Sequence, residues 1–170
     1  MDILTQKRIT DNGDRRGYFR YCIEYVYKDK LDPGEERILT KGYGVCDLNP
    51  DYTYKQMMAV KKYFNKTGDN PVMHFVVSFD IKNVCDKKTA CKYTELIALF
   101  FRIGYQVIVA LHKEYQRGSL YHAHFVVNTV NIHDGRLYHS GTKELYELAR
   151  YIHSVTGNYC KTKIKKPGED

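Results

Sequence analysis

The chain of 170 residues, 43% hydrophobic and 28% charged, has the size and composition of one globular domain, which we expect to span residues 1–170. Its longest apolar run (residues 96–101) is too short to cross a bilayer and its N-terminus has no signal segment, so we expect a cytoplasmic protein. The five scattered cysteines argue against a disulfide framework, and the net charge of +7 attracts polyanions, a property that many proteins without nucleic-acid partners share.

The first half of the chain predicts two helices and one central strand. We expect residues 1–14 to be loosely ordered, as well as residues 162–170 at the other end. A short helix over residues 18–30 leads into the turn-forming DPGEE, and a second helix is predicted over residues 53–65. Residues 72–80 are apolar at both alternating positions, which is typical of a central strand covered on both faces.

A third helix and two further strands follow. Residues 91–103 predict an apolar helix that ends at Gly104. Residues 106–112 and 122–130 predict two strands, and the polar loop of nine residues between them is short enough for a hairpin.

The last part of the chain predicts a turn and an amphipathic helix. Asp134 and Gly135 have the composition of a two-residue hairpin turn into a strand over residues 136–140. Residues 145–155 carry apolar side chains at helical spacing, and Gly157 is placed to end that helix. The whole pattern predicts an α+β fold, with a central antiparallel sheet and flanking helices.

Three histidines lie where two of the predicted strands meet. His122 and His124 are one residue apart, so their side chains point the same way, about 6.5 Å apart along a strand. Because the loop makes the two strands antiparallel neighbours, His112 arrives beside this pair. Three neutral imidazoles leave open positions on a cation, which is the arrangement of a catalytic metal site.

The competing explanation is a buried cluster of structural histidines, since one H-x-H pair arises easily by chance among seven histidines. Unpaired imidazoles are costly to bury in an otherwise apolar strand, and this favours the metal site. His74, near the start of another predicted strand, is a candidate to line the same face. By ligand softness alone the site would prefer zinc, copper or nickel over magnesium. The remaining histidines are expected to be structural: His133, His139 and His153.

Several segments together resemble a known family. ALHKEYQRGSLYHAHFVVNTVN (residues 110–131) resembles the H-x(8–10)-H-x-H-hydrophobic-N signature of the HUH endonucleases, specifically the mobilisation relaxases. FRYCIEYVYKDK (residues 19–30) resembles the N-terminal relaxase motif, and HFVVSFD (residues 74–80) resembles the strand that precedes the histidine motif. The resemblance runs in the same order from residue 18 to about residue 157.

The resemblance implies a fold and a set of site residues. The fold would be a relaxase-type palm, a central antiparallel sheet with flanking helices. Tyr25 matches the nucleophile, with Tyr27 and then Tyr21 as the next candidates. His74 matches a position where histidine is frequent, and Glu114 stands where the family commonly has an aspartate, so both are candidates to line the site. The matched metal ligands are His112, His122 and His124, for Mg²⁺ or Mn²⁺.

The resemblance also implies an activity and its partners. The activity would be metal-dependent nicking and rejoining of single-stranded DNA, specific for site and strand, through a 5′-phosphotyrosyl intermediate. The substrate would be an origin of transfer, in conjugative mobilisation of a plasmid or similar element, with accessory relaxosome proteins as further partners. Basic residues near both motifs are candidates to contact phosphates, although such residues often form only a solvated face. They are Arg15, Arg16, Arg20, Lys28, Lys30, Lys113 and Arg117.

Two alternative functions stay open from the sequence. A rolling-circle replication initiator or HUH transposase would use a tyrosine from a helix after the histidines, where Tyr146 and Tyr151 lie. The match of the N-terminal motif favours the relaxase. A non-catalytic DNA-binding regulatory domain would have lost the chemistry, and the presence of all three histidines argues against it.

Overall fold

The computed structural model of the chain describes residues 1–7, 15–28, 34–68, 72–115 and 120–165. Within these ranges the protein has six strands and four helices. The strands are β1 (Asp2–Lys7), β2 (Glu35–Tyr43), β3 (Val72–Ser78), β4 (Val107–Glu114), β5 (Tyr121–Asn128) and β6 (Cys160–Lys165). The helices are α1 (Arg15–Tyr27), α2 (Pro50–Tyr63), α3 (Lys87–Ala98) and α4 (Thr142–Thr156).

All six strands form one sheet in the order β2-β4-β5-β3-β1-β6. Its neighbouring strands are antiparallel except β1 and β6, which run parallel, so the sheet is mixed. The three strands that the sequence identifies as buried, β3, β4 and β5, lie in the middle of the sheet, which accounts for their apolar residues at both alternating positions. The predicted α+β architecture is confirmed.

Helices cover both faces of this sheet. On one face, α1 and α2 pack through Phe19, Ile23 and Met57 against strand residues that include Ile108 and Val126. On the other face, α3 and α4 pack over the larger core cluster. Strand alternation therefore assigns every even-numbered residue of β3, β4 and β5 to the α1/α2 face. No helix of the described residues has the length and hydropathy needed to cross a membrane.

Local sequence signals set the helix ends. Asn49 caps α2 by accepting a hydrogen bond from the Tyr52 N–H, and Pro50 follows at the first helical position. Asp86 caps α3, which therefore begins earlier than the predicted residue 91 and is followed by turns up to Gly104. Gly157 ends α4 with φ of 75°, as the sequence predicts.

The prediction that both ends of the chain are loosely ordered is wrong for the residues described. Residues 2–7 form β1, which pairs with β3 from Ile3–Ser78 to Lys7–His74. Residues 160–165 form β6, parallel to β1. The sequence did not indicate β1, because two of its three buried residues, Asp2 and Gln6, are polar and only Leu4 is apolar. Residues 8–14 and 166–170 lie outside the described part of the chain.

Two further features differ from the predictions. The edge strand β2 was not predicted; its residues are only half-buried, and its pairing with β4 shifts register between Arg37 and Leu39. The turn at Gly135, whose φ is 71°, is present, but the strand predicted after it is reduced to one isolated bridge between Val130 and Leu137.

Candidate active site

The sheet brings four histidines to one place on the α1/α2 face. His112 of β4 lies directly opposite His122 of β5, and His124 lies between Ala110 of β4 and Val76 of β3. His74 of β3 has the same alternation as Val76 and completes the group. Three adjacent antiparallel strands thus fix the histidines by their register.

The imidazole rings are in mutual contact. The ring centres of His112 and His124 are 4.6 Å apart, those of His122 and His124 are 5.1 Å apart, and those of His112 and His122 are 5.3 Å apart. Each of these three residues offers a ring nitrogen, and the three nitrogens all lie within 4.8 Å of one another. His74 stands behind them, with its Nε2 atom 2.9 Å from Nδ1 of His124.

Burial keeps the rings of His74, His112 and His124 uncharged at neutral pH. The exposed fractions of His112 and His124 are 0% and 2%. Desolvation, with the positive charge that neighbouring histidines and Lys7 would add, lowers the pKa of His74 and of His112 to about 3. The same causes hold the pKa of His124 well below its usual value. Neutral imidazoles are the form that binds a metal.

The free nitrogens of this group fit a bound cation. Both ring nitrogens of His112 and Nε2 of His124 are buried and have no hydrogen-bond partner within the described residues. Buried polar atoms without partners are costly, and a cation would satisfy one nitrogen of each ring. Metal–nitrogen bonds of about 2.0–2.1 Å separate ligand nitrogens by about 3–4 Å, so small ring rotations would let His112, His122 and His124 reach a single ion.

Tyr25 of α1 lies over the histidines. Its ring centre is 5.0 Å from that of His124, 5.8 Å from that of His112 and 6.2 Å from that of His74. The apolar side of α1, with Ile23 and Val26, is buried against the sheet and so directs Tyr25 to this position. Tyr25 is half-buried, so part of its side chain is reachable from solvent.

The other candidate tyrosines lie elsewhere. Tyr21 is 52% exposed, and its ring centre is 6.1 Å from that of Tyr25 on the outer side. The Tyr27 hydroxyl shares a 2.6 Å hydrogen bond with Thr53 of α2. Tyr146 and Tyr151 are on α4, which covers the opposite face of the sheet, and the Tyr151 hydroxyl donates to the carbonyl of Leu96 there. These four tyrosines therefore do not lie over the histidines.

Two glutamates border His122. Glu114, a predicted site residue, lies 3.8 Å from Nδ1 of His122, and Glu35 lies 3.6 Å from Nε2. The two carboxylates face each other across β2 and β4. Glu35 was not predicted, because nothing in the sequence indicates that β2 pairs with β4. These three side chains also come close enough to share a cation.

The basic candidates differ in where they lie. Lys28 is near the site, with Nζ 5.9 Å from the ring centre of Tyr25. Arg20 is paired with Glu24 at 2.7 Å and Asp51 at 2.5 Å. Lys113 alternates to the other face of β4. Lys30, Arg117 and the side chains of Arg15 and Arg16 lie outside the described part.

Two basic residues at the site were not predicted from the sequence. Lys7 pairs with His74 in the sheet, and its Nζ lies 5.6 Å from the ring centre of Tyr25. Arg37 lies opposite His112. Both belong to strands that the sequence did not predict. Their place at the site follows only from the pairing of β1 with β3 and of β2 with β4.

The three histidines expected to be structural are outside the cluster. His133 and His139 are exposed residues of the segment between β5 and α4. His153, also exposed, forms a 2.8 Å hydrogen bond through Nδ1 with the carbonyl of Asn158.

Comparison with known proteins identifies the family. The model of the family "Relaxase: MobA/VirD2-like, nuclease domain" matches residues 25–160, a span that begins at Tyr25 and includes all four clustered histidines. No curated protein and no solved structure matched the chain. A match over most of the chain, on this fold, establishes its membership. The chain belongs to the relaxases, with a nuclease domain of the MobA/VirD2 type.

Proposed function

We propose that this protein nicks and rejoins single-stranded DNA at an origin of transfer, with Tyr25 as the nucleophile and a divalent cation held by His112, His122 and His124. The biological role would be mobilisation of a plasmid or similar element by conjugation, with accessory relaxosome proteins as partners. The proposal extends the family's nuclease activity to a specific mechanism and specific residues.

One observation carries this proposal. A tyrosine ring from α1 lies 5.0 Å from His124, in a cluster supplied by β3, β4 and β5, although nearly 100 residues separate Tyr25 from His124 in the chain. A hydroxyl and a metal-ligand set on the same spot are the two components that transfer of a phosphodiester to tyrosine requires.

The reaction follows from the tyrosine. Its phenolic oxygen forms a bond to the scissile phosphorus while the bond from phosphorus to the 3′-oxygen breaks. The phenolic proton leaves Tyr25, and the departing 3′-oxygen takes up a proton. The products are a DNA 5′-end esterified to Tyr25 and a free 3′-hydroxyl. One phosphodiester replaces another, so the 3′-hydroxyl can reverse the step without a nucleotide cofactor.

Activation of the phosphate is the main requirement. A phenol with an ordinary pKa of about 10 is a weak nucleophile at neutral pH. A divalent cation bound by the three histidines, Mg²⁺ or Mn²⁺ by family resemblance, would supply charge neutralisation at the scissile phosphate. Lys7 and Lys28, whose Nζ atoms lie 5.6 and 5.9 Å from the centre of the Tyr25 ring, would add two further positive charges near the attacking oxygen.

A groove at the C-terminal end of α1, lined by the Tyr25 neighbours Glu24, Tyr27 and Lys28, would give the DNA strand a path. It has a volume of about 760 Å³ and lies between the end of α1, β2 and the start of α2. Lys28 and Arg37 line it, as do the carboxylates of Glu24 and Asp47, so a strand leaving the scissile phosphate would meet two cations on a lining that also carries two negative charges. Tyr27, Leu39 and Pro50 give it flat or apolar walls, which suit unpaired bases.

The Tyr25→Phe variant tests the nucleophile. It keeps the ring and its contacts with the histidines but lacks the attacking oxygen. We expect it to lose the covalent adduct with single-stranded DNA completely while binding that DNA as tightly as the wild type. Denaturing gels of protein incubated with labelled random-sequence oligonucleotides and Mn²⁺ measure the adduct, and filter binding measures affinity.

Tyr21→Phe and Tyr27→Phe are the matched controls on the same helix. Each should form the adduct at close to the wild-type rate, because neither ring lies over the histidines. An adduct that survives in Tyr25→Phe and disappears in either control would reassign the nucleophile.

A further inference from the structure

His74 contacts the histidine cluster at hydrogen-bond distance. Its Nε2 atom lies 2.9 Å from Nδ1 of His124, and both rings are buried, with 2% of each residue exposed. His74 does not belong to the three residues whose nitrogens lie within 4.8 Å of one another. It therefore stands behind a candidate ligand rather than among the ligands.

The contact restricts where the protons are. A neutral imidazole carries one N–H, so of two neutral rings in contact one donates and the other accepts. If His74 donated through Nε2, His124 would carry its own proton on Nε2, which is buried and has no acceptor within the described residues. If His124 donates through Nδ1, its Nε2 instead keeps a lone pair, and it is the nitrogen of His124 that His74 leaves available to a group with His112 and His122. The second arrangement avoids a buried N–H without a partner.

The far side of His74 agrees with this arrangement. A His74 ring that accepts through Nε2 carries its proton on Nδ1, and that atom lies 3.9 Å from the sulfur of Cys22 in α1. A thiol sulfur is a weak acceptor, and Cys22 is fully buried, so it offers one partner in an otherwise apolar layer. The three side chains form a line from α1 through β3 to β5.

We propose that His74 is a positioning residue that holds His124 in the tautomer with the proton on Nδ1, so that Nε2 is available to the metal, and that Cys22 supports His74 from behind. The inference rests on the metal site of the proposed function. A second residue that fixes the tautomer and angle of a ligating imidazole commonly contributes about 10–100-fold to metal affinity.

Nuclear magnetic resonance of the wild-type protein tests the tautomer without any substitution. In a long-range ¹H–¹⁵N correlation spectrum of the metal-free protein, we expect His124 to show a protonated Nδ1 and an unprotonated Nε2. His124→Gln provides the assignment of its signals. A His124 ring protonated on Nε2 would overturn the proposal.

A pair of substitutions tests the effect on the metal. His74→Phe keeps an aromatic ring of similar size but has no acceptor, and should weaken Mn²⁺ binding by about 10–100-fold. His74→Gln returns an amide oxygen close to the position of Nε2 and should bind Mn²⁺ with near wild-type affinity. Calorimetry and the electron paramagnetic resonance signal of bound Mn²⁺ are the readouts, and circular dichroism confirms folding.

His122→Ala distinguishes a failure of the His74 role from a failure of the metal site. If the wild type binds Mn²⁺, His122→Ala loses it and His74→Phe retains full affinity, the role of His74 is refuted and the metal site stands. If the wild type and His122→Ala bind Mn²⁺ equally weakly, the metal site itself is refuted, and the proposed function loses its cation.

Discussion

The buried imidazoles determine how the protein responds to acid. Burial lowers the pKa of His74 and His112 to about 3 and keeps that of His124 well below its usual value. In the unfolded chain these rings titrate near a pKa of about 6.5. Between pH 6.5 and about 3 the unfolded chain therefore binds more protons than the folded protein, so the free energy of unfolding decreases as the pH falls.

The metal-free protein should consequently lose stability below about pH 6.5. Each buried imidazole contributes a slope of up to about 1.4 kcal/mol per pH unit. Urea unfolding at a series of pH values from 7.5 to 5, in EDTA, measures the slope. His74→Gln should reduce the slope by the contribution of one buried imidazole. His133→Gln, at an exposed turn residue, is the control and should leave the slope unchanged. A stability that is flat over this range contradicts the burial of the rings.

The pairing of strands brings the site residues together. It also explains which of these residues could be predicted from the sequence. His112, His122 and His124 were predictable from the sequence. A short loop makes β4 and β5 neighbours, and the alternation of side chains along each strand puts the three imidazoles on one face of the sheet. Lys7 and Glu35 were not, because each enters the site through pairing between distant segments.

The same reason applies to the fold. The central strands carry apolar residues at both alternating positions and can be recognised from composition, as can α4 with its apolar side. Strand β1 buries Asp2 and Gln6 next to Leu4, so its inward side lacks the apolar periodicity that identifies a strand. Its place in the sheet depends on hydrogen bonds with β3 and β6, which composition does not encode.

Strand β1 should therefore be essential for stability. Leu4 is fully buried in the larger core cluster, and Leu4→Ala should lower the free energy of unfolding by about 2–5 kcal/mol. Thr5→Ala, one position along on the other side of the strand, should cost less than about 1 kcal/mol. Chemical denaturation of both variants measures the difference. Equal, small effects would show that residues 2–7 contribute little to the core.

At the scale of the whole molecule, the net charge of +7 governs the attraction of DNA. The logarithm of the affinity for single-stranded DNA should fall with the logarithm of the salt concentration, by about 0.7 for each phosphate neutralised. Lys28, beside Tyr25 and in the groove, should contribute to this slope, whereas Arg20 is already paired with Glu24 and Asp51.

Lys28→Gln should thus reduce the salt slope by about 0.7, and Arg20→Gln should leave it nearly unchanged. Fluorescence anisotropy with a labelled oligonucleotide, at several salt concentrations, gives both slopes. A larger effect of Arg20→Gln than of Lys28→Gln would place the DNA along the outer side of α1 instead of in the groove.

The most direct measurement of the central claim locates the covalent bond itself. The wild-type protein is incubated with random-sequence single-stranded DNA and Mn²⁺, the DNA and protein are digested, and the nucleotide-bearing peptide is sequenced by mass spectrometry. We predict one modified residue, Tyr25, and no modified peptide when EDTA replaces Mn²⁺. Modification of Tyr146 or Tyr151 on the opposite face of the sheet, or of no tyrosine at all, would contradict the account.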